Sequence, residues 1–216
     1  MAGQNLRVIS LISCLLLLLV VTSNQAPSPP LWGGAPQFRV LVNLTNPEPV
    51  ANWLFAYYHD DTLRAERYEH YPPQFDEMCA DLPYGSDQQC NVIFATNGWS
   101  YLQFPKVDFC CKCASQFGAV KGNWLEFNST FVGVESLKGY KVQHWTKQGQ
   151  YLNHYYCTND QKTVPIIFNE YVRGNLKQWD FKLDTYNTKP FDRSIIDPPP
   201  RCENLCNSWA CKAYRN

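Results

Sequence analysis

The sequence has no surplus of either charge: 19 Lys and Arg face 19 Asp and Glu across 216 residues, for a formal net charge of zero. That balance removes the long-range field that draws a protein to nucleic acid or to an anionic membrane, so no nucleic-acid partner is expected. Charged residues are only 18% of the chain, too few for a segment held unfolded by solvated charge. There is no G-X-Y period and no heptad run, which excludes collagen and coiled coil. Histidine is scarce, four residues in all. No nucleophile elbow, phosphate-cradling glycine loop or H-E-x-x-H is present, so an enzyme is not expected.

What the chain has is 10 Cys, 15 Pro and 15% aromatic residues. Arg7 precedes an apolar run from Leu11 to Val21, followed by Thr22, Ser23 and Ala26. A charged start, a short apolar stretch and small residues form the layout of a secretory signal, expected over residues 1–25. The run is shorter than the roughly 20 residues that span a bilayer, so no transmembrane anchor is expected in the mature chain. Removing the signal takes away Arg7 and Cys14 and leaves a formal charge of −1. The rest divides into a flexible Pro/Gly-rich leader over 26–36, an antiparallel β domain over 37–200 and a cysteine-rich tail over 201–216 docked by disulfides.

The remaining cysteines are Cys79, Cys90, Cys110, Cys111, Cys113, Cys157, Cys202, Cys206 and Cys211. In an exported chain they read as a disulfide framework. Nine is odd, so at least one is free, intermolecular or cleaved away. A metal site from Cys110, Cys113, Cys202 and Cys206 is the competing reading, but secretion normally oxidises the thiolates that zinc needs. Asn43-Leu44-Thr45 and Asn128-Ser129-Thr130 are glycosylation sequons and fit the same extracellular address.

Runs of β-branched and aromatic residues alternate with turn signals. Hairpins are expected around Asp60-Asp61-Thr62, Asn97-Gly98 and Lys138-Gly139, with Asn97-Gly98 as a type I′ turn. Further strands are expected over Gln150–Cys157 and Val164–Glu170. Near the end Trp179, Phe181 and Leu183 share one face while Gln178, Asp180 and Lys182 share the other, as in a sheet covered on one side. Pro72–Gln89 and Pro190–Pro200 read as loops. The tail is expected to form one or two helical turns with Cys202 and Cys206 on one face.

The second half resembles the ependymin-related proteins. The resemblance rests on Phe131-Val132-Gly133-Val134-Glu135, Gly139 to Trp145, Tyr155-Tyr156, Val164-Pro165-Ile166, Lys189-Pro190-Phe191-Asp192 and Pro199-Pro200-Arg201-Cys202, in that order. It covers roughly residues 129–202. It implies antiparallel sheet curved into a half-open barrel, akin to bacterial lipoprotein carriers, in a secreted, disulfide-bonded glycoprotein. It also implies a hydrophobic ligand in a deep pocket, frequent dimerisation (hence a homodimer) and associated calcium, with Cys202 paired into the 110–113 cluster. Family members often carry a Cys close before the strand proline, whereas Thr163-Val164 precede Pro165 here.

Candidate chemistry is thin beside this. His144 and His154 could meet across strands and, with a carboxylate, hold a metal, but isolated His beside aromatics more often pack, and no metal site is expected. Asp60-Asp61 reads as turn filler rather than a glycosidase pair. For calcium there are only scattered carboxylates, Glu135, Asp160, Asp184 and Asp192, and no D-x-D-x-D-G loop; the residues themselves call for no cofactor. The aromatic excess suits a pocket wall as well as a core. The candidate wall is Trp145, Tyr155, Trp179, Phe181 and Leu183. The expected function is binding a hydrophobic small molecule or lipid in a sheet concavity. An extracellular adhesive or structural glycoprotein cross-linked by the odd cysteine, and a secreted hydrolase, are the alternatives.

Overall fold

A computed structural model describes residues 26–215 except 48–49, 116–117 and 173. The expected export signal and Cys14 lie outside the described residues. The described chain is mainly β. Its strands are β1 (Gln37–Pro47), β2 (Val50–Asp60), β3 (Ala65–His70), β4 (Cys90–Phe94), β5 (Ser100–Phe104) and β6 (Phe109–Lys112), then β7 (Ser129–Leu137), β8 (Tyr140–Gln148), β9 (Leu152–Thr158), β10 (Pro165–Val172) and β11 (Asn175–Phe181). Two short helices, α1 (Glu77–Ala80) and α2 (Trp209–Ala213), sit in the connections.

The strands form one antiparallel sheet in the order β6-β5-β4-β3-β2-β1-β11-β10-β9-β8-β7. It is two meanders, β1 to β6 and β7 to β11, joined where β1 pairs with β11, Val42 opposite Phe181 and Leu44 opposite Trp179. The outer strands β6 and β7 do not pair with each other, so the barrel is open. Adjacent strands are about 4.8 Å apart, so β3 and β11, three steps away, would lie about 14 Å apart in a flat sheet. Yet the rings of Tyr68 on β3 and Trp179 on β11 are 5.9 Å apart. The sheet is strongly curled, and its concave face holds the main core.

Alternation builds that face. Phe38, Val40, Val42 and Leu44 point inward from β1, and Trp53, Phe55 and Tyr57 from β2, all buried. Trp32 comes from the segment expected to be a flexible leader. It is 1% exposed and plugs the concavity, its Nε1 donating to Tyr57 Oη at 2.8 Å and its ring packed edge-on to Trp124 and Phe168. On the convex face two smaller clusters form, Ile93, Ala95, Tyr101 and Cys202 in one, Val142, Ile166 and Ile167 in the other.

The turns refine the expected hairpins. Lys138 and Gly139 both have positive φ, 50° and 83°, and supply the type I′ geometry between β7 and β8. Between β4 and β5 only Gly98 has positive φ, 79°. Gly98 N donates to Ala95 O and Ala95 N to Trp99 O, so this is a three-residue loop ending in a left-handed glycine, not the type I′ turn expected. The Asn97 side chain contributes by accepting from Trp99 N.

Leu183 is a second correction. β11 ends at Phe181, and Lys182 N donates to Leu41 O as the chain enters a 3-10 turn at Leu183–Thr185. Leu183 therefore packs on the convex side against the Val142/Ile166/Ile167 cluster, away from Trp179 and Phe181. In the tail only Trp209–Ala213 is helical, so Cys202 and Cys206 precede the helix and share no helical face.

Four disulfides are present: Cys79–Cys90, Cys110–Cys202, Cys111–Cys206 and Cys113–Cys211. Three of them fasten the tail to β6 and the residue beyond it. Lys112 N donates to Asn204 O and Cys206 N to Lys112 O, a short parallel bridge that covers the free edge of β6. Such a framework belongs to an oxidising, extracytoplasmic compartment. Cys157, expected in the framework, is unpaired and buried. No helix among the described residues is long and apolar enough to cross a membrane.

Candidate ligand pocket in the concave face

The concavity is filled at one end and open at the other. At the filled end, Trp32 donates to Tyr57, a member of a buried polar cluster around Glu66. The Glu66 carboxyl accepts from Tyr57 Oη at 2.9 Å, Tyr68 Oη at 2.7 Å and Val120 N at 3.2 Å, with His59 Nδ1 at 3.3 Å. His59 Nε2 is buried with no partner. Burial and the nearby carboxyl hold the Tyr57 and Tyr68 hydroxyls protonated, their pKa values raised well above 10.0.

At the open end lies a cavity of about 270 Å³. Leu44, Trp53, Phe55, Tyr68, Val92, Phe94 and Trp179 form its apolar wall, and α1 with Tyr214 of the tail forms its rim. The volume lies just under the usual ligand-pocket range of about 300–1,000 Å³, the size of one ring or a short alkyl chain. Wider recesses, of about 630 Å³ beside Phe109 and 730 Å³ beside Trp124, are bounded largely by loop residues such as Asp108, Arg201, Arg64 and Lys121.

Polar groups gather at one side of the cavity. Glu170 and Lys177 are cross-strand partners, and Lys177 Nζ lies 3.1 Å from Glu77 Oε1 on α1. Asp76 caps α1, accepting from Met78 and Cys79 N, and its second oxygen is 3.6 Å from His70 Nε2. Trp53 Nε1 donates to His70 Nδ1 at 3.0 Å, which places the ring proton on Nε2. Trp179 Nε1 is buried without a hydrogen bond of standard geometry. The rim is stapled in place, α1 to β4 by Cys79–Cys90 and the tail by Cys113–Cys211.

Two rim groups have shifted pKa values with opposite consequences. Burial raises that of Glu170 above its ordinary 4.5, although Lys177 and the Trp179 indole pull it back. The folded state therefore holds its proton more tightly than the unfolded chain. That contribution to stability is complete below the unfolded value and is lost as pH rises through the folded one. Burial lowers the pKa of His70 below its ordinary 6.5, opposed by Asp76 and aided by Lys177. Its contribution is present above the unfolded value and lost as pH falls below it. Replacement Glu170→Gln is therefore expected to raise the urea midpoint at about pH 7 relative to wild type, with the gap closing by about pH 4. Equal gaps at both pH values would refute this assignment.

The residues expected as a ligand wall are dispersed. Trp179 lines the cavity. Phe181 is buried one step further along the same face, 6.5 Å from Trp179 ring to ring. Trp145 and Tyr155 are buried in the packed part of the core, Trp145 against Phe131 and Tyr155 against Trp32 and Gly33. Leu183 is on the other side of the sheet. Trp53, Phe55, His70, Glu170 and Tyr214 were missed. The alternation Trp53–Phe55–Tyr57–His59 was a signal for the first two, whereas nothing local marks Tyr214.

The remaining candidates have settled partners. Asp60 Oδ1 accepts from Thr62 Oγ1 and Leu63 N and so serves the turn, while Asp61 accepts from Gly122 N and ties the turn to the segment before β7. Asp160 accepts from Thr158, Lys162 and Thr163, and Asp192 caps a 3-10 turn. Burial, with Asp160 adding to it, pushes the Cys157 thiol up to about 12, so it is protonated and unreactive. On the convex face, His144 Nε2 lies 2.9 Å from His154 Nδ1, and His144 Nδ1 lies 3.3 Å from Glu135 Oε1.

No family model matches the chain, that of the ependymin-related proteins included, and no curated protein sequence matches it. Among solved structures, an uncharacterized conserved protein from Thermus thermophilus superposes with a TM-score of 0.52 at 11% identity, over 79% of this chain and 89% of that one. The two share a fold. MucB aligns with a TM-score of 0.44 at 12% identity, over 80% of this chain and 61% of that one. A putative outer membrane lipoprotein-sorting protein domain from Vibrio parahaemolyticus aligns at 0.33 and 6% identity, over 74% and 88%. Both of these scores fall below the level that marks a common fold.

Proposed function

We propose that this protein is a secreted glycoprotein that binds an apolar or amphipathic small molecule in the concave pocket, and that it is not an enzyme. The observation that carries the reading is the cavity of about 270 Å³, walled by aromatic and aliphatic side chains with its polar groups confined to one side. That arrangement suits an apolar body with one polar end. Each methylene taken from water contributes about 0.8 kcal/mol before ordering costs, so affinity for a homologous alkyl series is expected to rise about four-fold per carbon until the cavity is full. The ependymin-related resemblance supports the same class of ligand. Asn128, exposed before β7, and Asn43, half-buried on the convex side of β1, are the glycan acceptors in this reading.

Solvent extraction of protein purified from a secreting host, followed by mass spectrometry, is expected to release an apolar occupant from wild type. Val92→Trp, which fills the cavity, is expected to release none. An occupant recovered equally from both would place it elsewhere. The adhesive alternative needed an odd cysteine able to link chains, and Cys157, the unpaired one among the described residues, is buried.

A further inference from the structure

The convex face of β8 and β9 carries a side-chain cluster that the pocket does not use. In the sheet register His144 lies opposite Tyr156 and His154 opposite Thr146, so the two imidazoles are diagonal neighbours. The Tyr156 ring stacks on His144 at 4.3 Å and fixes its plane. The facing nitrogens, His144 Nε2 and His154 Nδ1, are 2.9 Å apart. Imidazole nitrogens bind first-row ions at about 2.0–2.1 Å, so a pair held at right angles is separated by about 2.9 Å and a tetrahedral pair by about 3.3–3.4 Å. The observed spacing is that of a hydrogen-bonded pair, and it also matches two ligands at right angles, as in square-planar or tetragonal Cu(II) and Ni(II), of which Cu(II) binds the more tightly.

The far side of His144 is also arranged for a metal. Glu135 Oε1 lies 3.3 Å from Nδ1. The negative charge of that carboxylate favours the tautomer with its proton on Nδ1, which leaves the Nε2 lone pair directed at His154. With no ion, His154 must donate its Nδ1–H into that lone pair. Copper would replace this shared proton: His154 moves it from Nδ1 to Nε2, both lone pairs then face the ion, and no redox change is involved. Among the described residues no third His, Cys, Asp or Glu joins the cluster as a ligand, so water completes the coordination.

We propose that His144 and His154 form a surface Cu(II) site, with Glu135 orienting His144 from outside the coordination sphere. The test adds Cu(II) alone to the mature full-length protein and records its electron paramagnetic resonance spectrum. One equivalent is expected to give a tetragonal signal with coupling to two imidazole nitrogens. His144→Ala and His154→Ala each abolish that signal with an unchanged circular dichroism spectrum. Glu135→Gln keeps it, with affinity about 10–100-fold lower. A wild-type spectrum without two-nitrogen coupling overturns the proposal whatever the variants do. So does a signal that persists unchanged in both histidine variants, which would assign the copper to another part of the chain.

Discussion

Replacing Glu66 by Ala is expected to lower the unfolding free energy by about 3–5 kcal/mol, against about 5–15 kcal/mol for a typical domain. The reason is the number of groups this one carboxyl satisfies. Tyr57, Tyr68 and the Val120 backbone all donate to it, and His59 lies beside it in the same buried cluster. Each donor left unsatisfied costs about 1–3 kcal/mol, reduced where water enters the space. The effect also spreads: Tyr57 Oη accepts from Trp32, so loosening Tyr57 loosens the plug. Glu66→Gln keeps one acceptor and most of the volume, and its loss should be smaller, about 1–3 kcal/mol. Urea unfolding followed by tryptophan fluorescence measures both, and an Ala variant no less stable than the Gln variant would refute the account of the cluster.

The second large effect is expected at the tail. Removing the Cys111–Cys206 bridge by the double change Cys111→Ser and Cys206→Ser opens a link between residues 95 apart in sequence. The expected loss is about 2–5 kcal/mol, less than a lone crosslink of that span would give because two neighbouring bridges still tether the segment. Both cysteines are buried, so the new hydroxyls add a desolvation cost. The bridge also holds the tail along the edge of β6, where the Lys112 backbone donates to Asn204 and accepts from Cys206. Freed, that edge offers unpaired donors and acceptors to other chains. Light scattering of the double variant is therefore expected to show self-association at concentrations where wild type is monodisperse. An unchanged unfolding midpoint with no association would mean that the tail is not a structural part of the sheet.

Local physics made much of this architecture readable. Turn residues at 60–62, 97–98 and 138–139 marked real hairpins, because positive φ and side-chain-capped turns depend on the residues at the turn itself. β1 was not picked out, although Phe38, Val40, Val42 and Leu44 alternate cleanly, because it directly follows a proline-rich segment that reads as leader. The closing pair β1–β11, between residues more than 130 positions apart, has no local signal at all. The same holds for Trp32 returning as a plug and for Tyr214 reaching the cavity rim. Leu183 shows how alternation fails: the period was correct, but the strand stopped two residues early. Of the candidate wall, Trp179 alone lines the cavity, because a strand pattern identifies an inward face but not which part of that face is already filled.

The central claim, a ligand-binding cavity walled by Trp53 and Trp179, is tested most directly by titrating the protein with a bromine-labelled alkyl alcohol and following tryptophan fluorescence. Bromine quenches indole at contact, and these two rings line the pocket while Trp32 and Trp145 are packed elsewhere. Saturable quenching at one equivalent is predicted, lost in Val92→Trp and reduced to a small residue in the Trp53→Phe, Trp179→Phe pair. Quenching that does not saturate, or that survives unchanged in those variants, would contradict it.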